Sequence, residues 1–202
     1  MARVKLSKEF KAAITGLSHK EKDKLLFRLI AKDPALVAQL NFELLETEAG
    51  VTKEDHREVM EKAIINHLEK YDPHYYSPGY LLLELRQLSG DINRHVRTTR
   101  DKYGDTYLNF VMLNHTFRIY GDRIRQSSLA QAITLNEYVV KRALRLLKQL
   151  QKMHEDHILD FEESMKELGR HIGSQPTTMR VAIQNMLDVN HLLKAKVIKN
   201  EE

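Results

Sequence analysis

The chain of 202 residues contains no cysteine and no tryptophan. Without cysteine it has no disulfide bond, no thiolate nucleophile and no cysteine-ligated zinc site. It also has no apolar run approaching the roughly 20 residues that a membrane-spanning helix requires. We therefore expect a cytoplasmic protein with no membrane partner.

Motifs of catalysis are missing as well. The eight glycines form no phosphate-binding loop, and neither a nucleophile elbow nor a zinc-protease motif is present. Apolar residues make up 42% of the chain and charged residues 30%, a composition typical of folded globular proteins. We expect no cofactor and a binding role in preference to an enzymatic one, although scattered side chains can also form an active site.

The net charge of +4 is unevenly distributed. Residues 86–125 carry eight arginines and lysines against four aspartates, so this one segment equals the excess of the whole chain. Local basic character suits a nucleic acid or an acidic protein as partner and says nothing about fold.

Signals for the start of a helix recur along the chain, and strand signals are nearly missing. Four candidate starts combine an N-cap residue with a capping partner or a first-turn proline: Ser18 with Glu21, Asp33-Pro34, Thr52 with Asp55, and Ser77-Pro78. Each precedes apolar residues at helical spacing, so the sequence predicts an all-α fold.

Three Gly-Asp pairs predict where helices end and the next begin, at Gly90-Asp91, Gly104-Asp105 and Gly121-Asp122. With these boundaries we expect about nine or ten helices, packed as successive antiparallel hairpins in a bundle or an irregular α-solenoid-like stack. We expect one helical unit over residues 1–202, with a subdivision into 1–70 and 71–202 as the alternative.

From residue 137 to residue 161 the apolar spacing predicts one long helix. Its opposite face carries a basic stripe of Lys141, Arg145, Lys148 and Lys152, and acidic residues follow from 155. The stripe is either a solvated face, a surface for an acidic partner, or one half of an antiparallel pairing within the chain or across a homodimer.

The stretch LGRHIGSQPTTMRVAI at 168–183 predicts two helices joined by a tight corner. Gly173 would supply a left-handed turn and Pro176 the first turn of the second helix. Met179, Ala182, Ile183 and Met186 would then face the core.

Over residues 168–187 this spacing resembles the helix-turn-helix of bacterial repressors, including lac-repressor-type and winged-helix regulators. The resemblance covers about 20 residues and implies a recognition helix with Thr177, Arg180 and Gln184 near DNA bases. Ser174 departs from the pattern, which usually has an aliphatic residue there. A looser match lies at 129–147, where Thr134 replaces the turn glycine. The alternative for both is an ordinary corner in a helical protein.

The segment YDPHYYSPGY at 71–80 combines four tyrosines with two prolines, which predicts a connection between helices. Exposed tyrosine is favoured in binding surfaces. We expect a binding surface formed by Tyr75 and Tyr76 with Arg94, Arg97 and Arg100. The alternative is that Tyr75, Tyr76 and Tyr80 fill a gap between helix layers.

His154, His157 and Asp160 follow one another at helical spacing, which is compatible with a metal site. The Glu-x-x-His pairs of ferritin-like sites are missing around them, so a structural or solvated histidine pair is the alternative. Taken together, the sequence predicts a non-enzymatic helical binding or adaptor module for a protein partner. A DNA-binding regulator that uses 168–187 is the first alternative, and a helical metal-site protein is the second.

Overall fold

The computed structural model describes residues 5–197, and within them the chain is helical with no strand. The predicted all-α class is confirmed, with eleven α-helices over this range. They are α1 (Lys8–Thr15), α2 (His19–Ile30), α3 (Pro34–Asn41), α4 (Lys53–Tyr71), α5 (Pro78–Thr99), α6 (Lys102–Gln126), α7 (Leu129–Leu150), α8 (Glu155–Leu159), α9 (Glu162–Ser174), α10 (Pro176–Gln184) and α11 (Val189–Leu193). A π-helical segment (Phe42–Glu46) follows α3, and a 3₁₀ turn (Asp72–His74) follows α4.

Chain contacts divide the protein into two compact units, Met1–Gly50 and Val51–Glu202. The alternative boundary considered from the sequence, near residue 70, lies at the end of α4 within the second unit. No described helix is both long and apolar enough to span a membrane.

The N-terminal unit, described from residue 5, contains α1, α2, α3 and the π-helical segment. The predicted capping box is present: Ser18 accepts from the backbone of Glu21, whose carboxylate accepts from the Ser18 N–H at 2.9 Å. Asp33 caps α3 ahead of Pro34. Within the unit, α2 contacts α3 and α3 contacts the π-helical segment. These are neighbours along the chain, so the unit is held mainly by local structure.

The second unit is built around α6, which contacts α4, α5, α7 and α9. Apolar side chains on several sides of α6 are buried, including Leu108, Phe110, Met112 and Tyr120. A helix that is apolar around most of its circumference is stable only when other helices surround it. Further along the chain, α10 packs on α7, and α11 packs on α9.

The Gly-Asp boundaries were wrong. Gly90 lies in the middle of α5, while Gly104 and Gly121 lie inside α6. The break between the two helices is at Arg100, which adopts a left-handed conformation (φ 54°), and at Asp101, which caps α6. Gly104 is needed for close approach: a Cβ there would lie 2.2 Å from Oδ2 of Asp101.

The single long helix expected over residues 137–161 was also wrong. Helix α7 ends at Leu150, His154 caps the short α8, and α9 begins at Glu162. Two basic residues of α7 form ion pairs with residues outside the acidic segment that follows. Arg145 pairs with Asp105 of α6 at 2.7 Å, and Lys141 pairs with Glu137 one turn earlier at 3.1 Å.

Candidate binding surfaces

The N-terminal unit leaves its apolar side chains uncovered. Of the described residues 5–50, only Phe42 is buried. Phe27 is 67% exposed and Leu45 is 63% exposed. Other large apolar side chains of the unit are also exposed: Leu6, Phe10, Leu26, Leu29, Val37 and Leu44. Isolated exposed leucines are ordinary, but a group of this size on about 50 residues is typical of interaction surfaces and makes this unit a candidate for one.

Charge is segregated within the same unit. Residues 5–32 carry eight lysines and arginines against three acidic residues, a net charge of +5. Residues 33–50 carry four acidic residues and no lysine or arginine, a net charge of −4. Exposed apolar side chains lie in both halves, for example Phe27 in the basic half and Leu45 in the acidic half. Exposed apolar side chains therefore accompany a net positive charge in residues 5–32 and a net negative charge in residues 33–50.

The tyrosine segment divides into a packed part and an exposed part. Tyr75 stacks on the buried ring of Tyr120, with ring centroids 5.4 Å apart, and the guanidinium of Arg123 lies 5.2 Å from its ring centre. Burial raises the pKa of the Tyr75 hydroxyl. Tyr76 is 80% exposed and meets Tyr80 edge to face at 5.3 Å. Thus Tyr75 fills a gap beside the core, whereas Tyr76 and Tyr80 form a small aromatic patch.

The arginines expected beside these tyrosines lie at the other end of α5. This helix is 22 residues long, which at 1.5 Å per residue is about 33 Å. Tyr76 precedes its first turn, while Arg97 and Arg100 are at its last turn and just beyond it. Arg94 pairs with Asp91 on the same helix. The structure therefore does not bring Tyr75 and Tyr76 together with the three arginines.

The corner at 168–187 is present, with a different turn from the one predicted. Helix α9 continues through Gly173, and the break is at Gln175, which is extended (φ −107°, ψ 101°). A residue before proline is disfavoured in the helical region, so Gln175 and Pro176 form the corner without a left-handed glycine. Gln175 is buried, and its Nε2 donates to the carbonyl of Gly121 at 2.7 Å. The looser match at 129–147 has no corner, since it lies within α7.

The face that α10 presents to the core matches the expectation only in part. Ala182 is buried and Met179 is half-buried against the core, as predicted. Ile183 is 66% exposed and Met186 is 90% exposed. Thr178 and Val181 are buried in their place, and Thr178 donates to Oδ1 of the buried Asn136 at 2.9 Å.

The side chains proposed for contact with DNA are unevenly accessible. On the outer face of α10, Arg180 and Gln184 are exposed, whereas Thr177 is half-buried. Two of the three proposed contacts are therefore on the surface.

The histidine segment lies on the short α8. His154 and Asp160 are exposed, and Nδ1 of His157 lies 3.8 Å from Oδ2 of Asp160. The ring of His157 packs edge-on against Tyr103 at 5.4 Å. Within residues 5–197 no three histidine, aspartate or glutamate side chains are grouped closely enough to hold a metal ion.

One polar cluster was not found from the sequence. Asp101 is buried between α4 and the start of α6, where it accepts from Nε of Arg57 at 2.9 Å and from the N–H of Gly104 at 2.9 Å. Nε2 of His95 is 3.9 Å from its Oδ2. Burial alone would raise the pKa of Asp101, but His95, the Gly104 N–H and Arg57 outweigh it and lower that pKa to about 2. The one local sign of this cluster in the sequence was Asp101 three residues before Gly104, a spacing that suits an N-cap.

An open cavity of about 430 Å³ lies beside this cluster, between α4 and α5. Its walls include His56, Met60 and His95, and Arg94 and Asp91 form an ion pair there.

Comparison with known proteins identifies no relative. No family model matches the chain, and no curated protein or solved structure is significantly similar to it. The fold and surfaces therefore define an all-α protein. Its second unit has a buried core, and its N-terminal unit has exposed apolar side chains.

Proposed function

We propose that this chain is a non-enzymatic helical module that binds another protein, and that the N-terminal unit is its binding element. The observation that carries the proposal is the exposure of the apolar side chains in residues 5–50, where Phe42 alone is buried among the described residues. Covering apolar area contributes about 25 cal/mol per Å², so these helices gain stability from any matching surface.

The charged residues around these side chains suit a protein partner better than a membrane. Protein interfaces combine an apolar centre with a polar rim. An anionic lipid surface would attract residues 5–32 but repel residues 33–50, whose four charged residues are all acidic. A protein can present opposite charges to the two halves.

The test replaces two exposed apolar residues, one in each half, in the variant Phe27→Ser/Leu45→Ser. The control is Leu83→Ser on α5, because Leu83 is 55% exposed and lies in the other unit. Sedimentation velocity measures association of the purified full chain with itself. Calorimetry measures its association with a protein that it captures and that is then purified. We expect at least tenfold weaker association for the double variant and no change for Leu83→Ser.

Two results would contradict the proposal. One is an unchanged affinity in the double variant, and the other is an equal loss in Leu83→Ser. Because the replaced side chains are exposed, we expect the free energy of unfolding to change by about 0.5 kcal/mol or less per residue, which denaturation with urea checks.

DNA binding through α10 is the second candidate function, and the exposure of Arg180 and Gln184 on one face of that helix favours it. Its test is fluorescence anisotropy with duplex DNA over a range of salt concentrations, for the wild type and Arg180→Ala. Recognition by α10 predicts duplex binding that weakens with salt and weakens further in the variant. Binding that Arg180→Ala leaves unchanged would reject this role.

A further inference from the structure

The distribution of charge in the N-terminal unit restricts which partner can cover it. A uniformly acidic partner would be attracted to residues 5–32 and repelled by residues 33–50, and a uniformly basic partner would meet the reverse problem. The matching surface must itself carry a basic part and an acidic part, in opposite order. The N-terminal unit of a second copy has this distribution.

We infer that the protein forms a symmetric dimer through its N-terminal unit, with the basic half of each copy against the acidic half of the other. The inference rests on the proposed function, because it names the partner of the same surface. A two-fold axis repeats every contact, so one complementary pair of charges becomes two. Opposite charges meet when residues 5–32 of one copy lie against residues 33–50 of the other.

Both halves have exposed apolar side chains to contribute to such an interface. Leu26, Phe27 and Leu29 lie on α2 in the basic half, and Leu44 and Leu45 lie on the π-helical segment in the acidic half. A standard interface uses about 20–30 residues from each partner. The described residues 5–50 are enough chain to supply them.

The decisive experiment reverses the charge of one half at a time in the full chain. The first variant makes the acidic half basic with Glu43→Lys, Glu46→Lys and Glu48→Lys. Glu43 accepts from Nε2 of Gln39 and Glu46 from Nδ2 of Asn41, so Glu43→Ala/Glu46→Ala is the control that removes these bonds without adding positive charge. The second makes the basic half acidic with Lys20→Glu, Lys24→Glu, Arg28→Glu and Lys32→Glu, four residues whose side chains are exposed. Lys22 is left unchanged because its Nζ donates to the carbonyl of Thr15 at 2.8 Å.

Sedimentation velocity and light scattering then give the oligomeric state of each protein and of the mixture. We expect a dimer for the wild type and at least tenfold weaker dimerisation for each variant alone, since like charges then face each other. An equimolar mixture of the two variants restores opposite charges at both contacts, so we expect a heterodimer. Circular dichroism checks that each variant keeps its helical content.

Three results would overturn the inference: a monomeric wild type at about 100 µM, a charge variant that dimerises as tightly as the wild type, or a mixture that stays monomeric. The proposed function fails on a different result, namely association that is indifferent to Phe27→Ser/Leu45→Ser. A monomeric wild type that binds a different protein through Phe27 and Leu45 would therefore reject the dimer and keep the binding module.

Discussion

Arg57 of α4 donates from Nε to Oδ2 of Asp101 at 2.9 Å, and through this bond α4 is tied to the corner where α5 ends and α6 begins. Both side chains are largely buried, at 15% and 5% exposure. Asp101 also caps α6, so one carboxylate fixes the start of the central helix and its position against α4.

Replacing Asp101 with asparagine separates these two roles. Asparagine caps helices about as well as aspartate, but it removes the charge that faces Arg57. Removal of one partner from a buried pair costs about 3–5 kcal/mol, and we expect the lower end because Glu54 still pairs with Arg57 at 3.1 Å. Urea denaturation measures the change. The control is Asp91→Asn in the more exposed pair with Arg94, for which we expect about 1 kcal/mol or less. Equal losses in the two variants would show that burial of the pair is unimportant.

The depressed pKa of Asp101 predicts a particular dependence on pH. The folded state holds this carboxylate with a pKa of about 2 against an ordinary value of 3.8. Between these values the unfolded chain binds more protons, so the stabilisation by Asp101 is full above about pH 4 and is lost as the pH falls towards 2. We expect the difference in unfolding free energy between the wild type and Asp101→Asn to shrink over this range. Denaturation curves at several pH values test this, and a constant difference would refute it.

Two glycines on neighbouring helices should respond in opposite directions to alanine. At Gly104 the added Cβ meets the fixed carboxylate of Asp101 at 2.2 Å, so we expect a loss of about 1–3 kcal/mol from overpacking. At Gly90 nothing lies within 4 Å of the new atom, and an alanine inside a helix gains about 0.5–1 kcal/mol over glycine. Thermal and urea unfolding of both variants provides the comparison. A stabilising Gly104→Ala would mean that the Asp101 carboxylate is free to move away.

The adjacent residues Tyr75 and Tyr76 should contribute very differently to stability. Tyr75→Ala removes the stacking on Tyr120 and opens a gap beside a buried ring, so we expect a loss of about 2 kcal/mol or more. Tyr76→Ala removes a ring that is 80% exposed, and we expect a change within about 0.5 kcal/mol. Melting temperatures of the two variants check this difference, and similar values would contradict the division of the segment into packed and exposed parts.

Helix starts could be predicted from the sequence because capping is local. Ser18, Asp33, Thr52 and Ser77 each cap the helix that follows them, as their spacing predicted. Glycine is ambiguous by comparison, because it serves either a left-handed turn or a close approach. At Gly104 the use is close approach to Asp101, a side chain whose position depends on Arg57, 44 residues away along the chain.

The candidate surfaces could not be predicted in the same way, because they depend on contacts between segments that are distant in the sequence. The spacing of Leu26 and Leu29 in α2 is that of an amphipathic helix, but spacing does not tell whether another helix covers the apolar side. From the sequence we expected Tyr75 and Tyr76 to share one surface with the arginines of α5, and we separately expected a helix to end at Gly90. Once α5 continues through that glycine, they lie at opposite ends of the helix.

The central position of α6 determines when the second unit can fold during synthesis on the ribosome. Its partners include α4, which precedes it, and α9, which ends at Ser174. The core around α6 therefore cannot close until most of the second unit has left the exit tunnel, and until then its apolar sides depend on partial cover or chaperones. The N-terminal unit leaves the tunnel before the second unit and contacts mainly its own neighbouring segments, so its exposed apolar side chains are present before the rest of the chain has folded.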